Sequence, residues 1–459
     1  NFHFDRTGNL EHQLYLLLDA VFQSFNNMVG DKIGCAFYHF FISNMLFHKS
    51  SYEKSIRVPF CNIQIPIPEG YDAVLREEYG DYHRIVKGGG HDYPGYKESE
   101  DNIKEAFRDK NFDYYFSEED LLRPKIENFR DIVIHMAEVF VVSQKELFKE
   151  YERGEIQACL QRLSKAQVDA IAFGDAIEQK KGEGSESVSV LEKYCEALYQ
   201  AYMALSKVLP LGDLSILSAT VHKELKQKLK KPGYYLKKLR SALEKDFKRQ
   251  VVFLPHSAKH FESLRPLVDA LLEAGDTECK IVPIPYYDRY GDGSLKEMHY
   301  EGDAFPKEYE ITDYRNYNFA AELPDCIVMN SPYDQFNQVW TVEPTFYSRE
   351  MKKYTNKLVY IPWFVTDEIN PKDEEDGKAF YNMKYYVEVP GIFHSDLSIV
   401  QSEGMKKAYL SKISKFAGTA VRKRMSKKIS GAGSCLLGEK EGQGTKELVE
   451  RFRRFLFKA

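Results

Sequence analysis

The chain has no C-x-x-C pair, no H-E-x-x-H segment and no apolar run long enough to span a membrane. Its seven cysteines, Cys35, Cys61, Cys159, Cys195, Cys279, Cys326 and Cys435, are scattered and odd in number. That pattern offers no zinc spacing and points to reduced thiols in a cytoplasmic protein. The longest uncharged, apolar-leaning stretch, residues 33–48, is broken by polar residues and falls short of the ~20 residues of a spanning helix. An excess of positive charge is missing too. Lys+Arg 64 against Asp+Glu 69 leaves a net charge of -5, which argues against a nucleic-acid partner. No leader is visible, but the first residue is Asn1 and not Met, so the natural N-terminus is expected further upstream.

Nucleotide and calcium loops fail as well. Gly431-Ala432-Gly433-Ser434-Cys435-Leu436 lacks the third glycine of a dinucleotide turn, and residues 438–446 carry Thr445-Lys446 in the reverse of the phosphate-loop order. Asp288, Asp292 and Gly293 meet a calcium loop only in part, because Tyr290 stands where a ligand should.

What is present is size and pattern. A chain of 459 residues has room for two or three domains. Tyr 31 and Phe 30 are high counts; most such rings fill cores, although aromatic surfaces also bind sugars and flat ligands. In residues 1–100, Leu14, Leu17, Leu18, Val21 and Phe22 recur at helical spacing. Ile63, Ile65 and Ile67 alternate as in a strand, which Pro66 and Pro68 put at an edge, and a short helix follows over 72–79. Residues 101–212 read as helical throughout, with stripes at Ile126, Phe129, Val133, Met136 and Phe140 and at Leu191, Tyr194, Leu198, Ala201 and Leu205, broken by a turn at 182–185. Such stripes are packing surfaces, so this block reads as a spacer. Residues 213–249 read as a basic linker: from His222 to Arg249 it holds eleven Lys/Arg against three acids. It is either a solvated helix face leading into the next domain or a basic amphipathic segment that rests on an anionic membrane.

From residue 250 the pattern becomes α/β. Apolar runs at 251–254, 280–284, 325–329, 357–361 and 398–400 predict strands, and Leu264, Leu267, Val268, Leu271 and Leu272 predict the helix between the first two. An open parallel sheet binds ligands beyond the carboxyl ends of its strands. His256 follows the first strand, Asp288 the second, and Asn330, Tyr333 and Asp334 the third; Glu403 follows the fifth. Carboxylates that bond hydroxyls, stacking tyrosines and a histidine able to act as a general base suit a nucleotide or a sugar. The plainer alternative is that Asp288 and Asp334 cap turns and His256 opens a helix. A final amphipathic helix is expected within 438–459.

Two stretches resemble known families. Val58-Pro59-Phe60, then Ile65-Pro66-Ile67-Pro68-Glu69-Gly70-Tyr71-Asp72, then Tyr79-Gly80-Asp81-Tyr82, then His91-Asp92-Tyr93-Pro94 resembles the C-terminal part of the LicD family. The resemblance implies the end of a nucleotidyltransferase-like domain over residues 1–100. It also implies transfer of phosphocholine or a similar phospho-group from a CDP-linked donor to a cell-surface glycan, with Mg²⁺ held by a cluster of aspartates. The family places that cluster upstream of these motifs, and residues 1–57 contain none.

The second stretch, carried by residues 283–288, 297–303, 330–334, 358–365 and 400–403, resembles the first half of a GT-B-type domain of the CDP-glycerol glycerophosphotransferase kind. Where that family has a His-Gly pair after the fourth strand, this chain has Pro362-Trp363. Together the resemblances imply an α/β and α+β multidomain chain with a single Rossmann-like domain at 250–437. The expected function is a transferase, or part of one, acting from a CDP-linked donor on a cell-surface polysaccharide or teichoic-acid-like polymer at the inner face of the membrane. A non-catalytic scaffold or glycan-binding protein, and a nucleotide-sugar glycosyltransferase, are the alternatives.

Overall fold

In the computed structural model the described residues are 4–5, 8–25, 30–34, 46–61, 63–83, 100–107, 110–211, 217–437 and 444–458. The chain divides into two compact units, Asn1–Lys87 and Gly88–Ala459.

In the first unit, helix α1 (Leu10–Gln23) is capped by the Asn9 side chain, which accepts from the His12 amide. Strands β1 (Lys32–Gly34) and β2 (Leu46–His48) pair antiparallel. Strands β3 (Ser55–Phe60) and β4 (Ile63–Pro68) form a second antiparallel pair, with Pro66 opposite Arg57 and Pro68 opposite Ser55. A two-stranded ribbon has only edge strands, so prolines are tolerated there. Helix α2 (Tyr71–Tyr79) follows and ends at Gly80, whose φ is 68°.

The second unit begins with α3 (Glu100–Phe107). Residues 110–128 are not the helix that their neighbours suggest. Apart from one 3-10 turn at Glu118–Leu121, they run extended as a strap across the sheet domain. Tyr114, Phe116 and Leu121 pack on one of its cores, Arg123 grips Asp396 through both its Nε and Nη2, and the Ile126 amide donates to Asn356 Oδ1 at 3.0 Å.

Four long helices then pack together: α4 (Phe129–Glu152), α5 (Ile156–Lys181), α6 (Glu186–Ser206) and α7 (Ala219–Asp246). The stripes at Val133, Phe140 and Leu147 and at Leu191, Tyr194, Leu198 and Leu205 form their shared core. The segment read as a basic linker is the fourth of these helices. Leu225, Leu229, Leu236, Leu239 and Leu243 recur at helical spacing beneath the lysines and bury completely enough to hold the segment helical through Pro232. One turn before Pro232, Leu229 O accepts from the buried Gln144 Nε2 at 2.8 Å, so this carbonyl has a partner where a proline disturbs the helix.

The remaining residues build a six-stranded sheet. In chain order its strands are β5 (Arg249–Leu254), β6 (Thr277–Ile281), β9 (Cys326–Met329), β11 (Leu358–Tyr360), β12 (Leu397–Ile399) and β13 (Ile429–Ser430). The spatial order is β13-β12-β11-β9-β5-β6, and every pairing is parallel. This is compatible with a Rossmann-like domain. Alternate residues enter two cores. Val252, Leu254, Ile327, Met329, Leu358 and Tyr360 lie on one face, and Val251, Phe253, Val328, Val359, Leu397 and Ile399 on the other. The second face is covered by α8 (Arg265–Ala274) and the last helix, α10 (Thr445–Leu456), through Leu267, Leu271, Leu448, Phe452 and Leu456. The first is covered by the short helices of 377–394 and by α9 (Glu403–Ala417).

Between β6 and β9 the chain departs from the expected loop. Tyr286–Arg289 forms a strand, β7, at the centre of a small antiparallel sheet with β8 (Leu295–His299) and β10 (Trp340–Val342). Asp288 is therefore a strand residue, opposite Trp340. No helix among the described residues is long and apolar enough to cross a membrane.

Candidate functional site

The chain lays β5 first, goes outward on one side to the edge strand β6, and returns to the other side of β5 with β9. The order of strands reverses between β5 and β9, and at such a point the connections leave in opposite directions and open a crevice at the carboxyl ends. His256 stands just beyond β5 and Asn330 just beyond β9, with His256 Nδ1 3.2 Å from Asn330 Oδ1. His256 Nε2 is 3.0 Å from His260 Nδ1, which is in turn 2.9 Å from Ser257 Oγ. These contacts suit a neutral His256 that donates from Nδ1 and accepts at Nε2.

Two tryptophans close over the pair, and they are the chain's only two. Trp340 stacks on the His256 ring at 4.5 Å, and Trp363 lies 4.2 Å from the His260 ring. Tyr286 and Tyr333 meet Trp340 edge-on at 6.2 Å and 5.7 Å. The half-exposed Glu301 accepts from the Ala258 amide and from Tyr286 OH, both at 2.8 Å. Burial first, and then Glu301, push the Tyr286 phenol up to about 12. Tyr286 also stacks on His299 at 5.0 Å, and His299 Nε2 is 3.2 Å from Asp288 Oδ2. The Trp363 indole N–H is buried and has no hydrogen-bond partner.

The sequence-derived set is thus partly gathered. His256, Tyr333 and Asp288 adjoin Trp340, and Asn330 joins them through His256. Asp334 does not join them. It is buried, with φ of 49°, and its carboxylate accepts from the Ser348 amide at 2.7 Å and from Ser348 Oγ at 2.8 Å. Ser348 Oγ is also 2.7 Å from His394 Nδ1, whose Nε2 is 3.1 Å from Asp120 Oδ1 on the strap. This serine, histidine and aspartate have the order of a hydrolytic triad. Ser348 and His394 are buried, however, and the hydroxyl is shared with a second carboxylate, so the array joins the strap to the sheet domain and offers no nucleophile. Burial raises the Asp334 carboxyl, opposed by His394 and Ser348. Burial also pushes Asp120 up, but hydrogen bonds from His394, Tyr114 and the Ser117 amide outweigh it and bring Asp120 down to about 2.

Glu403 stands apart, at the start of α9. It accepts from the Gly431 amide at 3.2 Å and pairs with Lys406. A Cβ on Gly431 would come within 2.3 Å of Ser402 O, so only glycine lets that loop close on the helix start.

In this structure His256 is not poised as the general base that its type suggested. Burial above all, with His260 beside it, lowers it to about 3, and both ring nitrogens are engaged. The residues that can touch a ligand are the half-exposed ones around it: His260, Glu301, His299, Asp288 and the two indoles. His260, Trp363 and Glu301 lie a few residues past the ends of strands, and His299 and Trp340 lie within β8 and β10, so none was found by reading the ends of the parallel strands. The presence of only two tryptophans, each after a sheet strand, was the available signal.

Of the LicD-like residues, Tyr71 and Tyr79 are exposed, Gly80 terminates α2 and Asp81 follows it. Asp72 accepts from Arg76 Nε and from Tyr82 OH, both at 2.8 Å, and these bonds lower its carboxyl. His91 and Asp92 lie outside the described residues. No group of three or more His, Cys, Asp or Glu able to hold a metal ion occurs among the described residues. Asp72 is engaged by Arg76 and Tyr82, and the resemblance assigns Mg²⁺ to aspartates upstream of these motifs, not to the motif residues themselves.

Compared with protein-family models, with curated proteins and with solved structures, the chain matches nothing.

Proposed function

We propose that this chain serves, as a transferase or part of one, the addition of a phospho-substituent such as phosphocholine or glycerophosphate from a CDP-linked donor to a cell-surface glycan. In this reading residues 1–100 are the end of a LicD-like, nucleotidyltransferase-like domain, and the six-stranded sheet is a half-GT-B-like domain that binds ligand. The observation that carries the binding role is the His256–Asn330 pair at the strand-order reversal, roofed by Trp340. Flat rings beside a carboxylate and an imidazole suit a base or sugar with its hydroxyls.

Because both tryptophans belong to the site, intrinsic fluorescence reports on it directly. Titration with CDP-glycerol, CDP-choline and CDP is expected to change the emission, and Trp363→Phe together with His260→Ala is expected to weaken the response at least about tenfold. Incubation of the chain, and of a version extended upstream, with the same donors and acceptor glycan tests transfer. Unchanged emission with all three nucleotides and no transfer by either version would sink the proposal.

A non-catalytic role in the same pathway is the second reading, favoured by the engaged, neutral state of His256. Binding of CDP ligands without transfer by either version would select it. The exposed lysines of α7, among them Lys226, Lys230, Lys231, Lys237 and Lys238, suit contact with an anionic membrane. Flotation with anionic vesicles at low and high salt tests that contact.

A further inference from the structure

A hollow beside the strap has neither tryptophan in its lining. It is walled by α3, residues 112–115, residues 336–338, the short helix Lys384–Val387 and the end of α9, and encloses ≈ 250 Å³. That is near the lower end of the range for small-ligand pockets, roughly 300–1,000 Å³. It suits one ring better than a nucleotide.

Its chemistry is of two kinds. The apolar part is aromatic: Phe112, Tyr115, Phe336 and Phe416 line it, and Tyr114 sits between Phe336 and Phe416 at ring distances of 5.3 and 5.9 Å. Tyr115 is 71% exposed, so its ring is not there to fill a core. The polar part consists of neighbouring donors and acceptors. Glu100 accepts from Tyr385 OH at 2.8 Å and from Tyr381 OH at 2.9 Å and pairs with Lys384, and Lys104 lies 3.4 Å from Asp113. Both signs of charge are present and paired with each other. Such a lining has no strong preference for an ion, but it offers a carboxylate acceptor and an ammonium donor side by side. A sugar needs that combination: adjacent hydroxyls each give and take a hydrogen bond, while the C–H face of the ring rests on an aromatic side chain.

We infer that this hollow binds a single pyranose unit of a glycan, with Tyr115 as the stacking platform and the Glu100–Lys384 and Lys104–Asp113 pairs as hydroxyl ligands. The inference extends the glycan reading of the function but concerns a different site. The two are linked through the loop of residues 335–340. Phe336 and Gln338 wall the hollow, while Trp340 at the loop's end covers His256. Arg289 holds this loop by donating to Asn337 O at 2.9 Å and Gln335 O at 3.2 Å.

The test is saturation-transfer NMR on the full chain, without nucleotide, using glucose, galactose, N-acetylglucosamine and N-acetylgalactosamine. At least one sugar is expected to show transfer to its ring protons. Tyr115→Ala is expected to weaken that binding about three- to tenfold, the worth of one aromatic contact, and Asp113→Asn is expected to weaken it as well. Tyr115 is exposed, so its variant is expected to keep the parent's thermal midpoint. Absence of transfer from all four sugars overturns the inference. So does binding that survives Tyr115→Ala but is lost in Trp363→Phe, because the sugar would then sit at the tryptophans. Failure of the CDP titration leaves these readouts untouched, so the two proposals fail separately.

Discussion

His256 shows how tertiary placement changes what a residue can do. A histidine after a strand reads as a base, yet here it is a neutral, buried hydrogen-bond donor to Asn330 beneath an indole. The same placement makes it an acid-sensitive point. The unfolded chain takes up a proton near its ordinary value of about 6.5, while the folded chain resists until about 3. The contribution to stability is therefore complete above pH 6.5 and is lost progressively as the pH falls toward 3, on the order of 1 kcal/mol per pH unit. His256→Gln is expected to flatten the fall in thermal midpoint across that window. Asp334 is the second case. Its positive φ is held by the two bonds from Ser348, so Asp334→Ala is expected to cost roughly 2–4 kcal/mol in chemical denaturation, with Asp334→Asn costing less.

Among elements, the strap of residues 110–128 differs most from expectation. Its flanks are helical, and its apolar residues Tyr114, Phe116 and Leu121 are compatible with a helix. They are drawn out over the sheet domain because that surface offers them burial, and because Asp120 and Arg123 find His394 and Asp396 there. The depressed Asp120 carboxyl sets a pH window for this attachment. Its contribution is present above the unfolded value near 4 and is lost as the pH falls toward about 2. Asp120→Asn is expected to remove that part of the acid dependence, seen as increased proteolysis in 110–128 at neutral pH and a shallower change between pH 4 and 2. Gly391 illustrates a related constraint. Its amide donates to Pro332 O at 2.9 Å, and a Cβ would come within 2.5 Å of Pro332, next to Tyr333.

On the scale of the molecule, the described residues of the unit Gly88–Ala459 form three hydrophobic cores, one in the helical bundle and one on each face of the sheet. Bundle and sheet are joined at Asp325, which accepts from the Gln250 amide at 2.9 Å and faces Arg130 and Arg249. Burial raises the Asp325 carboxyl, and the amide and the two guanidinium groups oppose that. A unit with its own cores folds without its neighbours. Residues 88–459 expressed alone are expected to give a cooperative thermal transition, with the same tryptophan emission as the full chain. A broad transition with red-shifted emission would show that residues 1–87 are needed.

The helices of the bundle and strands β5, β9 and β11 were determined by the sequence itself, because an amphipathic stripe or a short run of apolar residues has few ways to bury itself. The α7 segment was legible as a basic helix face, but its lysines and Pro232-Gly233 hid its place in the bundle, and β13, two residues long, carries no pattern to read. The strand-end rule located His256, Asn330 and Tyr333, since strand ends are fixed once the strands are. Tertiary structure decided the rest. Asp288 became a strand residue because residues 340–342 came back to pair with it, and Asp334 turned to Ser348. The two tryptophans meet the histidines because the parallel sheet brings the ends of β5, β9 and β11 side by side. Such contacts join residues more than eighty positions apart, as His256 and Trp340 or His260 and Trp363, and no local spacing encodes them.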